Sequence, residues 1–592
     1  MKRGSKMNNT KLSYRQYFLW VLLFYVSGLH AIEASTVKHD LSDQPNILWL
    51  VVEDMSPIIE AYGDKTIKTP TITELANEGV TFTNVYSPSG VCAPSRAAIS
   101  MGMYPSSFGA NNMRTTSNTK ETGLPKYEAI PHANAKMLSQ YLREAGYYTT
   151  NNLKTDYQFK APKGAWDESG PYAHWRNRKI GQPFYAVVNF TTTHESGLFE
   201  PYGFRKIESR HYFSDNRQKI AKLPQHHAVK SSEANTPVHV AKDLDFPIPP
   251  YLPDTPLVRR DFWKMYNNLA ETDKQIAAVL KQLKDDGLYD NTIIMFYSDH
   301  GGPLPRQKRL VYDSGLKVPF IIRYPNGEHA GTKDDQLVSF VDFAPTLLSL
   351  AGIDKPAHMQ GRNFLGKQQT AKREYIHAAA DRFDGFTDVI RAVKNKRFKY
   401  IRNYRPEQGY YLPVAYREKI PTMQELLRLR DADRLTQAQA LWFRDKKDPE
   451  ELFDLINDPH EINNIIDDPR YKKVVTELSA EMDRWLNEIN DDPSLPEAQL
   501  IQRLWAGNES QPVTAKPQFK ISNGIIHISS PTPGAVISYQ LGNITPPELW
   551  QLYKGPFKLD QATSVKAVAH RIGFSESDSV IYDPDKIIYS QY

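Results

Sequence analysis

The stretch Asn46-Ile-Leu-Trp-Leu-Val-Val52 is almost entirely apolar. Continuous apolar runs of this length are typical of strands that are covered on both faces, as in parallel sheets. Three similar runs follow, at residues 184–190, 292–297 and 318–324. Helical patterns lie between them, and strands that alternate with helices indicate an α/β fold. The sequence therefore predicts a large mixed, mainly parallel sheet flanked by helices.

Two of the helical patterns are clear enough to place. Thr71 and Glu74 have the spacing of a capping box, and Gly79 is expected to end that helix. From Phe262 onward, apolar residues recur at helical spacing until Gly287. This second pattern predicts a long amphipathic helix.

The chain is expected to contain several domains. We assign residues 35–390 to a catalytic α/β domain and residues 391–500 to a smaller α+β subdomain with a helix near Lys472–Ile489. Residues 501–517 are rich in Pro, Ser, Asn and Gln, which is typical of a linker. Residues 518–592 carry short alternating runs separated by turn signals and predict a small β-sandwich.

The charge distribution points to an N-terminal signal. The net charge is +5, from 73 basic and 68 acidic residues, and five of the basic residues precede residue 31, where there is no acid. The rest of the chain is balanced, which argues against nucleic acid as a partner. The basic stretch leads into an apolar run at 17–26 and small residues at Ala31 and Ala34. This layout predicts a secretory signal peptide over residues 1–34, hence a secreted or periplasmic protein without a membrane anchor.

Cys92 is the only cysteine. An exported protein enters an oxidising compartment, where a lone thiol is a liability unless it is buried or has a function. The ordinary interpretation is a small buried apolar residue. The neighbours of Cys92 favour a function instead.

Polar residues follow three of the predicted strands: Glu53-Asp54, His194 and Asp299-His300. In open α/β sheets, sites form at the carboxyl ends of strands. We therefore expect these distant segments to converge on one cleft.

Cys92 opens the motif Cys-Ala-Pro-Ser-Arg, which ends at Arg96. Cys-x-Pro-Ser-Arg is the signature of the type I sulfatases of the alkaline phosphatase superfamily. Over residues 45–490 the chain resembles that family at further motifs: Pro45-Asn46-Ile47, Thr69-Pro70, Ser298-Asp299-His300-Gly301, Glu451-Leu-Phe-Asp-Leu and Asp458-Pro-His-Glu. The resemblance implies an alkaline-phosphatase-like fold and a sulfuric ester hydrolase.

In that family a formylglycine-generating maturation enzyme oxidises the cysteine of the motif, so the resemblance implies Cα-formylglycine at Cys92. A hydrated aldehyde has two hydroxyls on one carbon. One attacks sulfur and displaces the sugar alcohol, and the other expels sulfate as the aldehyde re-forms. Arg96 would hold the modified residue and the sulfate near a helix N-terminus, where the dipole favours anions.

The resemblance also implies a metal site. Its ligands would be Glu53, Asp54, Asp299, His300 and the modified Cys92. Clustered carboxylates suit a hard cation, and Ca²⁺ is expected, with Mg²⁺ as the alternative. Glu53 departs from the paired Asp that is usual in the family, and His300 stands where Asn is also common.

Two lysines and a histidine resemble the family's sulfate-binding and leaving-group residues. Lys154 and Lys308 would neutralise charge on the sulfate oxygens. His194 would donate a proton to the departing sugar oxygen. Many sulfatases have Lys-x-His where this chain has Lys154-Thr-Asp156, so His194 is the stronger candidate for the general acid.

Further residues are candidates for substrate contact from their positions alone, although each is also compatible with a structural role. They are Asn112, Arg114, Asp156, His174, Asp381 and Arg382.

Several features resemble heparan N-sulfatases and bacterial polysaccharide sulfatases, including those that act on the algal polymer ulvan. They include the Glu53-Asp54 pair and the stretch Thr193-His-Glu-Ser196. The β-rich region resembles the small sandwich of chitobiases, which either binds glycan or supports the catalytic domain. We expect a sulfated polysaccharide or oligosaccharide as substrate, with an ulvan-type polymer favoured. The alternatives are a heparan N- or O-sulfatase, a phosphate or phosphonate monoester hydrolase, and a catalytically dead glycan-binding protein.

Overall fold

The apolar stretch at 46–52 is the strand β1 of an eight-stranded sheet. The structure is a computed structural model that describes residues 44–117, 119–171, 173–200, 237–542, 549–560 and 562–586. The signal peptide predicted at residues 1–34 lies outside the described residues. The strands of this sheet are β1 (Asn46–Val52), β2 (Val80–Tyr86), β3 (Tyr148–Asn152), β4 (Glu168–Ser169), β5 (Phe184–Phe190), β6 (Thr292–Ser298), β7 (Lys317–Arg323) and β8 (Thr332–Ser339).

The strand order is β4-β3-β5-β1-β6-β7-β2-β8, and β7 alone is antiparallel to its neighbours. The last residue of β1, Val52, pairs with Phe190 at the end of β5 and with Ser298 at the end of β6. Three parallel strands therefore end at one edge of the sheet, and the polar residues that follow them must emerge together. The expected mainly parallel sheet is confirmed.

Both faces of β1 are buried, as its composition predicts. Leu48 and Leu50 pack into one apolar core, and Trp49 and Val51 pack into the core on the opposite face. Helices α1, α4 and α6 cover the first face, and α2, α3 and α5 cover the second. The helices are α1 (Pro70–Asn77), α2 (Cys92–Met101), α3 (Leu138–Glu144), α4 (Pro256–Asp285), α5 (Phe343–Leu350), α6 (Pro421–Asp431), α7 (Lys472–Ile489) and α8 (Glu497–Leu504), with single turns at Thr119–Thr122, Ser196–Phe199, Asp313–Leu316 and Gln437–Ala440.

The capping box expected at Thr71 is wrong. Helix α1 begins at Pro70, a residue suited to the first helical position, and its N-terminal N–H groups are bound by another helix. Asp273 of α4 accepts hydrogen bonds from the backbone N–H of Thr71 at 3.2 Å and of Ile72 at 2.9 Å. Among the described residues, no helix is both long enough and apolar enough to cross a membrane.

A second sheet forms the core of the predicted α+β subdomain. Its order is β12-β11-β10-β9, all antiparallel, and α7 packs on it through Leu478, Met482 and Trp485. The sheet already begins with β9, ahead of the boundary that the sequence suggests at residue 390. The strands are β9 (Ile376–Ala380), β10 (Ile390–Lys394), β11 (Phe398–Asn403) and β12 (Glu450–Asp454).

The β-rich region consists of two small sheets, β13-β14-β17 and β16-β15-β18-β19, around a shared apolar core that includes Ile526 and Val565. Helix α8 occupies the first residues of the expected 501–517 linker, because Ile501 packs against Tyr127 of the catalytic domain. The strands are β13 (Gln518–Ser522), β14 (Ile525–Ser529), β15 (Val536–Leu541), β16 (Gln551–Leu552), β17 (Phe557–Lys558), β18 (Val565–His570) and β19 (Val580–Tyr582).

Candidate active site

The polar residues that follow β1 and β6 meet at the carboxyl edge of the main sheet. The backbone N–H of Asp54 donates to Asp299 Oδ1 at 3.1 Å, and both residues are fully buried. Asp54 adopts a positive φ of 51°, an uncommon conformation for a residue other than glycine. The expected convergence of these segments is found.

Cys92 is the first residue of α2, a helix whose residues are all buried. Its Sγ lies 3.3 Å from His300 Nε2 and 3.8 Å from Asp54 Oδ1. The free N–H groups and the dipole of a helix N-terminus favour negative charge at this position. A reactive group on residue 92 therefore faces the acidic cluster and the positive end of a helix at once.

The ligand atoms of Asp54, Cys92, Asp299 and His300 all lie within 4.8 Å of one another. Glu53 is adjacent: its Oε1 pairs with Lys154 Nζ at 2.6 Å, while its Oε2 is buried without a hydrogen-bond partner. Three buried carboxylates, one of them with an unpartnered oxygen, match the oxygen ligands that a hard divalent cation prefers. The residues present thus fit a divalent metal ion.

Arg96 lies one turn along α2 from Cys92 and faces the same cluster. Its Nε donates to Asp299 Oδ2 at 3.0 Å, a terminal nitrogen donates to Asn189 Oδ1 at 2.6 Å, and the other lies 3.6 Å from Glu53 Oε1. Asn189, in β5, was not expected from the sequence, because an asparagine in an apolar run carries no signal of its own. These contacts fix the guanidinium beside residue 92.

The two expected lysines approach the acids from different segments. Lys308 Nζ lies 2.6 Å from Asp54 Oδ2 and 3.4 Å from His194 Nε2. Lys154 Nζ lies 2.6 Å from Glu53 Oε1 and 3.7 Å from Asp156 Oδ2. The structure thus brings Lys154, His194 and Lys308 to the cluster around Cys92, with Asp156 beside Lys154.

Burial and opposite charge act against each other on these groups. Burial raises the pKa of Asp54, but the neighbouring positive charges, led by Lys308, together outweigh it and hold that pKa well below its usual range. Burial also raises the pKa of Asp299, but the neighbouring positive charges, led by Arg96, together bring it down to about 2. Burial lowers the pKa of His300, but Asp299 and Asp54 raise it to about 10. Both aspartates are therefore ionised at neutral pH, as metal ligands must be.

Comparison with known proteins identifies the fold and its site. The family model described as Sulfatase matches residues 45–170 and 171–353. The chain belongs to the sulfatase family. A second family model, described as N-sulphoglucosamine sulphohydrolase, C-terminal, matches residues 306–418 of this sulfatase.

Two relatives are similar to this chain over most of their length. An Ulvan-active sulfatase of Formosa agariphila is 59% identical over 545 residues, which is 91% of this chain and 91% of the relative. N-sulphoglucosamine sulphohydrolase of Homo sapiens is 24% identical over 483 residues, 75% of this chain and 90% of the relative. The expectation that the chain is a sulfatase, an enzyme that hydrolyses sulfate esters, is confirmed.

Solved structures support the fold. A protein solved with its substrate D-glucosamine-2-N,6-O-disulfate has a TM-score of 0.51 at 19% identity, covering 76% of this chain and 99% of that one. A 2-O GAG sulfatase has a TM-score of 0.50 at 20% identity, covering 76% of this chain and 94% of that one. The alkaline-phosphatase-like fold class is confirmed, and family membership implies a formylglycine and a divalent metal in the sulfatase.

Besides Asn189, two further residues of the site were missed. The carboxylate of Glu195 forms a paired interaction with Arg309, at 2.8 and 2.9 Å, and lies 3.1 Å from Lys308 Nζ. Burial raises the pKa of Glu195, but Arg309 and Lys308 lower it to about 2. Glu195 follows His194 and Arg309 follows Lys308, so their positions beside expected residues were the available signal.

The structure does not bring His174 to the site of the sulfatase. His174 lies next to Trp175, which stacks on Phe184, the first residue of β5, whereas the site lies beyond the last. Its ring accepts the backbone N–H of Arg176 and lies 3.0 Å from Gln282 Oε1. His174 was expected near the site because a motif in a loop does not show which edge of the sheet the loop occupies, and its sugar contact stays a prediction.

Asn112, Asp381 and Arg382 have structural partners. Asn112 Oδ1 accepts the backbone N–H of Arg382 at 3.1 Å, and Arg382 forms a paired interaction with Glu497 of α8 at 2.6 and 2.9 Å. Asp381 lies 2.9 Å from the Arg391 guanidinium. These contacts join the catalytic domain to the second sheet and to α8.

Arg114 differs from these residues, because half of its side chain is exposed, and it pairs with Asp384 at 3.3 Å. Of the six residues suggested as substrate contacts, Asp156 is the one that the structure places beside Lys154.

Proposed function

We propose that this sulfatase is secreted and removes sulfate esters from a sulfated polysaccharide of the ulvan type, or from its oligosaccharides. The observation that carries the proposal is the 59% identity to an Ulvan-active sulfatase over 91% of both chains. Two further Ulvan-active sulfatases of Formosa agariphila are 26% and 24% identical over 76% and 84% of this chain. The cleft supports the proposal because Cys92 lies among buried carboxylates, with the charged groups of Arg96 and Lys308 close by.

Cys92 is the proposed site of conversion to formylglycine. As formylglycine, residue 92 would supply a hydrated aldehyde whose hydroxyl attacks the sulfate sulfur. Its position at the start of α2 places the incoming sulfate against the positive end of the helix dipole. Arg96 is fixed by Asp299 and Asn189 and holds its charge beside this position.

Lys154 and Lys308 supply positive charge near the sulfate. Each amine lies 2.6 Å from a buried carboxylate, Glu53 or Asp54, which keeps it protonated and oriented. Charges that are fixed before substrate arrives stabilise developing negative charge without reorganisation.

His194 is oriented to act as the general acid. Its Nδ1 accepts the backbone N–H of Ser196 at 3.2 Å, so a proton that the ring donates would be carried by Nε2. Nε2 is the atom that lies near Lys308, inside the cleft. It can therefore pass its proton to the sugar oxygen as the S–O bond breaks.

Glu53, Asp54, Asp299 and His300 are the proposed ligands of a Ca²⁺ ion, with Mg²⁺ as the alternative. The ion would polarise a sulfate oxygen and orient the modified residue 92. Ca²⁺ accepts oxygen ligands in a flexible geometry, whereas Mg²⁺ requires a near-ideal octahedron with short metal–oxygen distances. A cluster of carboxylates therefore favours Ca²⁺.

The test combines the mass of the peptide that carries residue 92 with sulfate release. The protein is produced with a formylglycine-generating enzyme and incubated with ulvan, heparin, chondroitin sulfate, carrageenan and fucoidan. We expect formylglycine at residue 92 and sulfate from ulvan, and neither from Cys92→Ala. Full conversion with no sulfate from any polymer would contradict the proposal.

A second candidate is a heparan or heparin sulfatase. The observation that favours it is the match of residues 306–418 to the C-terminal family model of N-sulphoglucosamine sulphohydrolase. Sulfate released from heparin and not from ulvan would establish this alternative.

A further inference from the structure

We infer that the β-sandwich (strands β13 to β19) is a structural part of the active site, because it holds the loop that carries Lys154 against the helix that carries Cys92. The loop, residues 153–167, is called the Lys154 loop below. The inference rests on the role proposed above for Lys154 and assigns the sandwich a function within the catalytic unit.

The sandwich shares a buried apolar cluster with the catalytic domain. Ile572, in the turn after β18, is 3% exposed and belongs to the same buried cluster as Ala97 and Met101 of α2. Phe159 and Ala165 of the Lys154 loop lie in that cluster too. One side chain of the sandwich therefore belongs to the apolar cluster that the nucleophile helix and the loop share.

Polar contacts fix the middle of the loop to the sandwich. The Ser538 hydroxyl, in β15, donates to the backbone carbonyl of Lys163. The Lys163 amine pairs with Glu576 at 2.7 Å. The main chain and the side chain of one loop residue are thus both held by the sandwich.

Arg143, at the end of α3, joins the loop to the sandwich from the other side. Its Nε donates to Asp167 Oδ1 at 2.7 Å, and a terminal nitrogen donates to the backbone carbonyl of Trp550 at 3.1 Å. Its own carbonyl accepts from the Lys554 amine at 2.6 Å. Hydrogen bonds therefore join the sandwich to the catalytic domain on both sides of the loop.

The backbones approach closely at two glycines. A Cβ on Gly534 would lie 1.5 Å from the carbonyl oxygen of Ala133, and a Cβ on Gly573 would lie 2.3 Å from that of Ala129. The backbone N–H of Ala129 in turn donates to the carbonyl of Gln158 in the Lys154 loop at 2.9 Å. A displacement at Gly573 is thereby transmitted to the loop through one hydrogen bond.

The other end of the loop reaches the site through Lys154, whose amine pairs with Glu53. Lys154, Tyr157 and Trp166 line one small cavity together with Arg96. Because binding charges are effective only at the right distance, a shift of about 1 Å costs up to ~100-fold in rate. Loosening the sandwich should therefore weaken sulfate binding without any contact between the sandwich and the substrate.

A separate glycan-binding role makes a different prediction. The Trp550 ring has Lys163 Nζ at 4.8 Å and Lys566 Nζ at 6.0 Å from its centroid, which would suit an anionic sugar. In that case, damage to the sandwich would affect the polymer and spare a small anion.

The test compares Gly573→Ala with Gly524→Ala in the formylglycine-containing, calcium-loaded protein. Both glycines have a positive φ, 83° and 72°, so the backbone strain is matched. A Cβ on Gly524 meets nothing within 4 Å, and Gly524 lies between β13 and β14 of the other sheet. The difference between the variants is thus the clash with the catalytic domain.

Two quantities are measured: calorimetric affinity for inorganic sulfate, and hydrogen–deuterium exchange of residues 153–167. We expect Gly573→Ala to weaken sulfate binding about three- to tenfold and to speed exchange in the loop, with Gly524→Ala within about twofold of wild type. Unchanged sulfate affinity in Gly573→Ala overturns the inference, and lower turnover of polymer alone would then assign the sandwich to glycan binding. Should Gly573→Ala not fold, Ser538→Ala is measured in the same way.

Lys154→Ala separates this inference from the proposed function. If Lys154→Ala leaves sulfate affinity unchanged, the role proposed for Lys154 fails. If Lys154→Ala weakens binding while Gly573→Ala does not, the structural role of the sandwich fails and the role of Lys154 stands.

Discussion

Glu195 holds two parts of the active site with two different groups. Its backbone N–H donates to Asp54 Oδ2 at 2.7 Å, and its carboxylate contacts Lys308 and Arg309. Since His194 is its neighbour in sequence, Glu195 helps to set the spacing of the proposed general acid, the proposed metal ligand Asp54 and the proposed sulfate-binding Lys308. No motif indicates this role, because it exists only through partners 113 or more residues away.

His194→Ala should lower kcat for a sulfated sugar by about 10²- to 10⁴-fold, because the sugar oxygen then leaves without a proton. The loss should be much smaller for 4-nitrophenyl sulfate, whose leaving group needs no proton. Turnover numbers on both substrates check the prediction, with His174→Ala as a control that leaves kcat within about twofold. Equal losses on the two substrates would rule out a general acid at this position.

The secondary-structure elements follow the sequence where burial is two-sided. Three elements begin and end at the expected residues, because continuous or periodic apolar patterns determine them locally. They are the strands Asn46–Val52 and Phe184–Phe190 and the helix Lys472–Ile489. The start of α1 was missed because Asp273, about 200 residues away, takes the place of a local cap. The edge occupied by the loop at His174 was missed because sequence does not encode which end of a strand a loop covers.

A buried acid in the second sheet makes that sheet sensitive to pH. Burial raises the pKa of Glu451, in β12, to about 7, while Tyr410 donates a hydrogen bond to it at 2.8 Å. Between pH ~4.5, the ordinary pKa of Glu, and pH ~7, the folded state therefore keeps a proton that the unfolded state has lost. This contribution to stability is present below pH ~4.5 and is lost as the pH rises to ~7.

Glu451→Gln should remove that dependence, because an amide does not ionise. We expect the variant to gain stability over wild type by about 2 kcal/mol on going from pH 5 to pH 8. Chemical unfolding at the two pH values measures the difference. A constant offset between the two proteins would show that Glu451 does not titrate in this range.

The whole molecule assembles one site from segments that are far apart in the chain. The ends of β1 and β6, the start of α2 and the Lys154 loop all contribute, and the sandwich shares an apolar cluster with α2 and that loop. Sequence motifs could predict that the strand ends converge, because the geometry of parallel sheets requires it. They could not predict that Ile572 belongs to this cluster, since nothing in the sequence identifies the partners of one isoleucine in a β-rich region.

Metal binding should stabilise the molecule as a unit, because the ligands come from segments separated by more than 200 residues. Ca²⁺ at a thousandfold excess over its Kd adds about 4 kcal/mol to a folded state that alone binds it. We expect chelated protein to regain several degrees of Tm when Ca²⁺ is added, and less with Mg²⁺. The rise should vanish in Asp299→Asn and persist in Asp381→Asn, and a rise that survives in Asp299→Asn would place the ion elsewhere.

The burial of Cys92 also limits the time during which its thiol is accessible. Its thiol is 2% exposed and is closed in by His300, a residue 208 positions further along the chain. At a synthesis rate of roughly 5–20 residues per second, His300 follows Cys92 from the ribosome by about 10–40 s. The proposed maturation enzyme would have access to the thiol during that interval and would lose it once the chain folds. We therefore expect the yield of active enzyme to depend on the rates of oxidation and folding, and slower translation should favour oxidation.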